Sequence, residues 1–198
     1  MAIEESPTKP HWNYFLALED DVARLSRYLE PAEANFEAYS LELARILFAA
    51  ASEVDVVAKQ LCNQIDPAGS ANNIDQYRTA LMRHRPEIAQ SQVSIPRFGL
   101  AFSPWERWAH NANPIWWRAY NKVKHERHVH FRDANLKNSL NSVAGLFSLL
   151  LFHYRQEAHD GALSPDPVLF RAGAPFQVDK LFYVPHTFTY RVAAKPTA

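Results

Sequence analysis

Apolar residues recur along this chain at steps of three and four, the period of a helix with one buried face. Over 13–29, Phe15, Leu18, Val22, Leu25 and Leu29 form one such stripe. It ends before Pro31, because the residue preceding a proline is pushed out of the helical region. From Phe36 the series Tyr39, Leu43, Ile46, Ala50, Val54, Val57, Leu61 and Ile65 keeps the spacing up to Asp66-Pro67-Ala68-Gly69, which predicts the longest helix. Ile74, Tyr77, Leu81 and Met82 predict a weaker helix over 72–88 that Pro86 shortens or kinks. Over 133–157, Leu136, Leu140, Val143, Phe147, Leu150 and Tyr154 alternate steps of four and three, as helices of a bundle do.

The stretches between and beyond these helices have a different character. Residues 91–113 hold Pro96, Gly99 and Pro104 among Phe98, Phe102, Trp105 and Trp108, too irregular for a long helix and too apolar to lie wholly in water. This predicts an aromatic loop packed over the core, with one helical turn at 105–110. After Gly161, Pro165, Pro167, Pro175 and Pro185 exclude a long helix, and the β-branched and aromatic residues of 184–192 predict a short strand or extended arm. Residues 1–10 are polar, interrupted by two prolines, and read as a tail. The expected fold is all-α: an antiparallel bundle of four to five helices over 11–160, followed by a C-terminal extension over 161–198. Leu43, Leu47, Val54, Leu61, Val123, Leu140, Phe147 and Leu150 should form its core.

Composition adds three points. Cys62 is the only cysteine and sits in an apolar helical pattern, so no intramolecular disulfide forms and a reducing, cytoplasmic setting fits. The longest apolar runs, such as 146–152, fall far short of the roughly 20 residues a membrane span needs, and no basic segment followed by an apolar run opens the chain. A soluble, unexported protein without membrane contact is therefore expected. Net charge is zero but unevenly placed, with 12 acidic against 5 Lys and Arg residues over 1–66 and 8 Lys and Arg against 3 acidic residues over 97–137. The basic segment suits a polyanion, and it equally suits the chain's own acidic half.

That basic segment contains the stretch with the clearest chemistry, 113–132, which reads NPIWWRAYNKVKHERHVHFR. Asn113 is placed to cap a helix and Pro114 to open it, since its missing N–H would be unpaired there anyway. At about 100° per residue, Trp116, Ala119, Tyr120 and Val123 fall on one side, with Trp117 at its edge. Arg118, Asn121, Lys122 and His125 fall on the opposite side. A guanidinium, a carboxamide, an ammonium and an imidazole on one strip suit phosphate binding and proton transfer. The bland reading of Lys122, Lys124 and Arg127 is that they solvate the helix. His125, His128 and His130 lack a Cys or carboxylate that would complete a metal-ligand spacing, and no Glu-x-x-His pair is present, so neither metal nor cofactor is expected.

Arg118, six residues, then His125 on a late helix followed by another long apolar helix resembles the HEPN superfamily, whose motif is Arg, four to six residues, His. Tyr120-Asn121-Lys122-Val123-Lys124-His125 is similar to a variant with Asn and Lys before the His. The likeness covers about 16–154 by helix pattern and some ten residues by motif. It implies a metal-independent endoribonuclease in which His125 moves the proton of a ribose 2′-OH or of the leaving 5′-oxygen. Arg118 would brace the phosphorane charge, and Asn121 would orient the imidazole or hold a phosphate oxygen. Lys122, Lys124 and Arg127 would attract the RNA backbone. The resemblance also implies a homodimer in which two such strips line one groove. The chain departs from the pattern at Ala119, where catalytic members carry a polar residue, and this favours the alternative of a non-catalytic dimerisation or protein-interaction module. A small nucleotide-binding helical protein is a third reading.

Overall fold

The computed structural model describes residues 8–180 and 188–192. The opening of the polar tail, 1–7, and the first residues expected in the C-terminal arm, 184–187, lie outside the described residues. The protein is mainly helical: α1 (Pro10–Leu25), α2 (Leu41–Ile65), α3 (Ile74–His84), α4 (Ile115–His130), α5 (Leu136–His153) and the short α6 (Arg155–His159). All eight residues expected in the core are buried.

Three of the helices, α2, α3 and α5, begin where a side chain takes one of their first free N–H groups. Ser40 Oγ accepts from the Leu43 N–H at 3.1 Å, Asn73 Oδ1 from Gln76 at 3.1 Å and Asn135 Oδ1 from Asn138 at 2.9 Å. The long helix therefore starts at Leu41, and Phe36 and Tyr39, which share its spacing, lie outside it. Their segment is used differently: the Ala38 and Phe36 carbonyls accept from the first N–H groups of α5, Leu136 and Lys137, at 2.9 and 3.2 Å. Tyr39 bridges Asn135.

α5 is the axis of the molecule. Fifteen of its 18 residues are buried, so it is enclosed on every side rather than along one stripe. Gly145 permits this, since a Cβ there would lie 3.0 Å from the Trp116 ring. The Trp105 indole N–H donates to Ser148 Oγ at 3.0 Å and also faces the Gly145 carbonyl. On the other side Phe147 stacks on Phe15 at 4.9 Å and meets Trp12, Phe170 and Tyr190. Aromatic rings from both ends of the described chain thus converge on one helix.

The aromatic loop is more ordered than its sequence suggests. β1 (Val93–Ile95) and β2 (Leu100–Phe102) form an antiparallel pair turning at Gly99, whose φ is +64°. β3 (Arg171–Ala172) pairs with β1 on its other edge, giving the order β2-β1-β3. The helical turn at 106–110 is a 3-10 segment. β4 (Phe176–Lys180) and β5 (Phe188–Val192) form a second antiparallel pair. Leu163, Leu169, Phe170, Phe176 and Tyr190 are buried in the same core as the helices.

Candidate functional site

α4 begins at Ile115, one residue later than its sequence suggests. Pro114 keeps an extended ψ of 147° and is the residue before the helix. Asn113 is engaged elsewhere: its amide donates to Asp75 Oδ1 at 3.1 Å, its side-chain oxygen accepts from Arg78 and its carbonyl accepts from Arg107. The two faces are as expected. Trp116, Ala119 and Val123 are buried, together with Trp117, while Arg118, Lys122 and His125 are exposed and Tyr120 and Asn121 half-buried. Ala119 points into the core, where a polar side chain would lose water without gaining a partner. Regular helical geometry then breaks at Glu126 (φ −137°, ψ 51°), directly after His125.

Between α2 and α4 lies an open hollow of about 940 Å³. Leu41, Phe48 and Ser52 of α2 form one wall, and Tyr120 and Val123 of α4 with Phe131 form the apolar floor opposite. The floor is a satellite of the main core, in which Val123 packs with Ala44, Leu47 and Ala134. Lys124, His125, Arg127 and His128 supply the polar lining. The Lys124 ammonium sits over the Tyr120 ring, 5.4 Å from its centre, and Tyr120 meets Phe48 edge-on at 5.8 Å. Such a contact holds a cation at an aromatic surface while leaving its other face to a ligand. Among the described residues neither His125 nor His128 is hydrogen-bonded or ion-paired, in contrast to His130, which faces Glu126 at 3.4 Å and Asp133 at 3.7 Å.

Of the six residues singled out by sequence, the hollow collects Lys124, His125 and Arg127. Arg118, Asn121 and Lys122 stand outside its lining. Arg118 is nearly two turns before His125 on the same exposed side, and the Lys122 ammonium is 3.6 Å from Asp133. Sequence reasoning passed over Phe48, Ser52 and Leu41. Their spacing of four and seven marks a second stripe on α2 beside the core stripe, a signal that was present. His128 reaches the hollow from beyond the break at Glu126, which nothing in the local sequence announces.

Two other groupings bear on chemistry. Burial pushes the Cys62 thiol up to about 11, so it stays protonated and inert. Further along α2, His11 Nδ1 faces Glu53 Oε1 at 2.5 Å, His11 Nε2 faces Gln60 at 3.1 Å, and the His11 and His153 rings meet edge to face at 5.5 Å. Burial, joined by the charge of His11 and opposed by Glu157, pulls the His153 imidazole down from 6.5 to about 4. The unfolded chain therefore binds this proton more readily than the folded one. Stability from His153 is complete above pH 6.5 and is lost as pH falls toward about 4. Thermal melts across that window should show a falling midpoint, and His153→Phe should flatten the fall. An identical slope in parent and variant would refute the assignment.

Among the described residues, no three His, Cys, Asp or Glu side chains are grouped so as to hold a metal ion, and no helix is long and apolar enough to cross a membrane. No protein-family model matches the chain, and neither the curated proteins nor the solved structures give a match.

Proposed function

We propose that this protein is a HEPN-like helical bundle, acting as a homodimer, that binds RNA in the α2–α4 hollow and cleaves it without a metal. One observation carries the reading: the hollow unites two unpaired imidazoles and two cationic side chains with a floor of aromatic rings. Cations beside ring faces suit a flexible strand whose phosphates need charge and whose bases need a flat apolar surface. His125 moves the proton of the 2′-OH or of the leaving oxygen, while Lys124 and Arg127 hold the phosphodiester. Arg118, standing outside the hollow, acts on a phosphate further along the strand or on one held by the second copy. Asn121 and Lys122 extend the same strip.

A second reading has its own support. Leu41 at the wall is 69% exposed and nearby Val129 63%, which suits a protein partner docking on this face without chemistry. The readings separate in one assay. Purified protein incubated with RNA of mixed sequence should cleave it equally with and without a chelator. RNA left intact in both would reject the nuclease, and cleavage lost in chelator would reject the metal-independent mechanism. Lys124→Ala should lower RNA affinity and reduce the slope of log affinity against log salt by about 0.7, the share of one phosphate contact on a single strand. An unchanged slope would take Lys124 out of the interface.

A further inference from the structure

The hollow holds two imidazoles where the motif at Arg118 and His125 requires one. His125 and His128 stand on either side of the break at Glu126 and both line the hollow, both exposed and neither hydrogen-bonded nor ion-paired. Lys124 and Arg127 alternate with them along the chain and share the lining, so cations that suit a phosphate and imidazoles that suit proton transfer face one hollow. α2 contributes Leu41, Phe48 and Ser52 to the lining and no charged group. Imidazole is the side chain that most often serves as general acid or base, and these two histidines are the imidazoles of the lining.

We propose that His125 and His128 act as a pair, one taking the proton of the attacking 2′-OH and the other giving a proton to the leaving 5′-oxygen. This rests on the RNA-cleaving reading and assigns a second catalytic residue to it. The step balances without a co-reactant. The 2′-oxygen forms a bond to phosphorus as its proton passes to the first imidazole. The P–O5′ bond breaks as the second, an imidazolium, passes its proton to that oxygen. The products are a 2′,3′-cyclic phosphodiester and a free 5′-hydroxyl, and an exchange of one proton with water restores each imidazole. A single histidine would have to serve both oxygens in turn, whereas two on one lining serve them together.

The test uses a short RNA containing the linkage that the parent protein cuts, and the same RNA with sulfur in place of the 5′-bridging oxygen. A thiol has a pKa of about 8.5, so a thiolate leaves without needing a proton, and the sulfur RNA dispenses with the acid alone. His125→Ala and His128→Ala should each slow cleavage of the ordinary RNA by about a hundredfold or more, the usual worth of a positioned acid or base. Only one of the two should recover toward the parent rate on the sulfur RNA, which identifies the acid. Both side chains are exposed, so both variants should keep the parent's circular dichroism. Cleavage of ordinary RNA by His128→Ala at the parent rate overturns the pairing, as does recovery of both variants or of neither. These outcomes leave the RNA-cleaving reading standing. A parent protein that cuts neither RNA overturns that reading, and the pairing with it.

Discussion

Leu140→Asp should yield no cooperatively folded protein. Leu140 is 0% exposed on α5, the helix packed against α1, α2, α4 and α6, and the adjacent Ser139 hydroxyl donates to the Leu43 carbonyl of α2 at 2.9 Å. A carboxylate at 140 has no cation within this contact and no water to solvate it. An unpaired charge there costs several kcal/mol against a total stability of about 5–15 kcal/mol. Protonating the new carboxyl instead would still leave a polar group unpaired among apolar side chains. Leu140→Met is the control, because it nearly conserves volume and should cost under about 1.5 kcal/mol. Circular dichroism melts decide the matter: a cooperative transition in Leu140→Asp near the parent midpoint would refute the enclosed position of α5.

Glu19→Ala should undock the C-terminal extension. Glu19 is 4% exposed on α1, and its carboxylate accepts three backbone N–H groups, those of Val168 at 2.8 Å, Leu169 at 2.7 Å and Phe170 at 2.9 Å. Charge-assisted bonds of this kind are roughly twice as strong as neutral ones. Truncation leaves three donors without an acceptor, at about 1–3 kcal/mol for each that stays buried. The chain can escape part of that cost by letting 168–170 leave α1, which also withdraws Phe170 from Phe15 and Phe147. The expected result is a lower melting temperature together with new protease cleavage between 160 and 170. Glu19→Gln, which keeps one acceptor oxygen, should fall between parent and Ala. Parent-like protease resistance in Glu19→Ala would show that the apolar contacts alone hold the extension.

What could be read from the sequence follows from how locally each feature is determined. The stripes of α1, α2 and α3 were legible because each buries a face whose period is written within one segment, whereas the stripe of α5 located the helix without showing that its other sides are buried too. Helix starts were legible only where a capping side chain dominates. Phe36 and Tyr39 kept the period of α2 and still lie outside it, since their segment serves the first turn of α5 a hundred residues later. β1 was hidden for the same reason: its second partner, β3, lies more than 70 residues away. Glu19 left a trace that was passed over. It sits between Leu18 and Val22 at a position of the buried stripe, where a carboxylate must find donors or a cation. The site divided similarly. The exposed strip of α4 follows from helical period, but which of its residues share a hollow depends on α2 and on the break at Glu126. That is why Lys124, His125 and Arg127 come together with His128, and Arg118 does not.

The claim that the α2–α4 hollow is a site of RNA chemistry is tested most directly by comparing parent and His125→Ala protein on the same RNA, measuring cleavage rate and affinity in parallel. An imidazole that moves a proton acts in the transition state, so its loss should slow cleavage by about a hundredfold or more while affinity stays within a few-fold of the parent. Cleavage by His125→Ala at the parent rate would contradict the account, whatever its affinity.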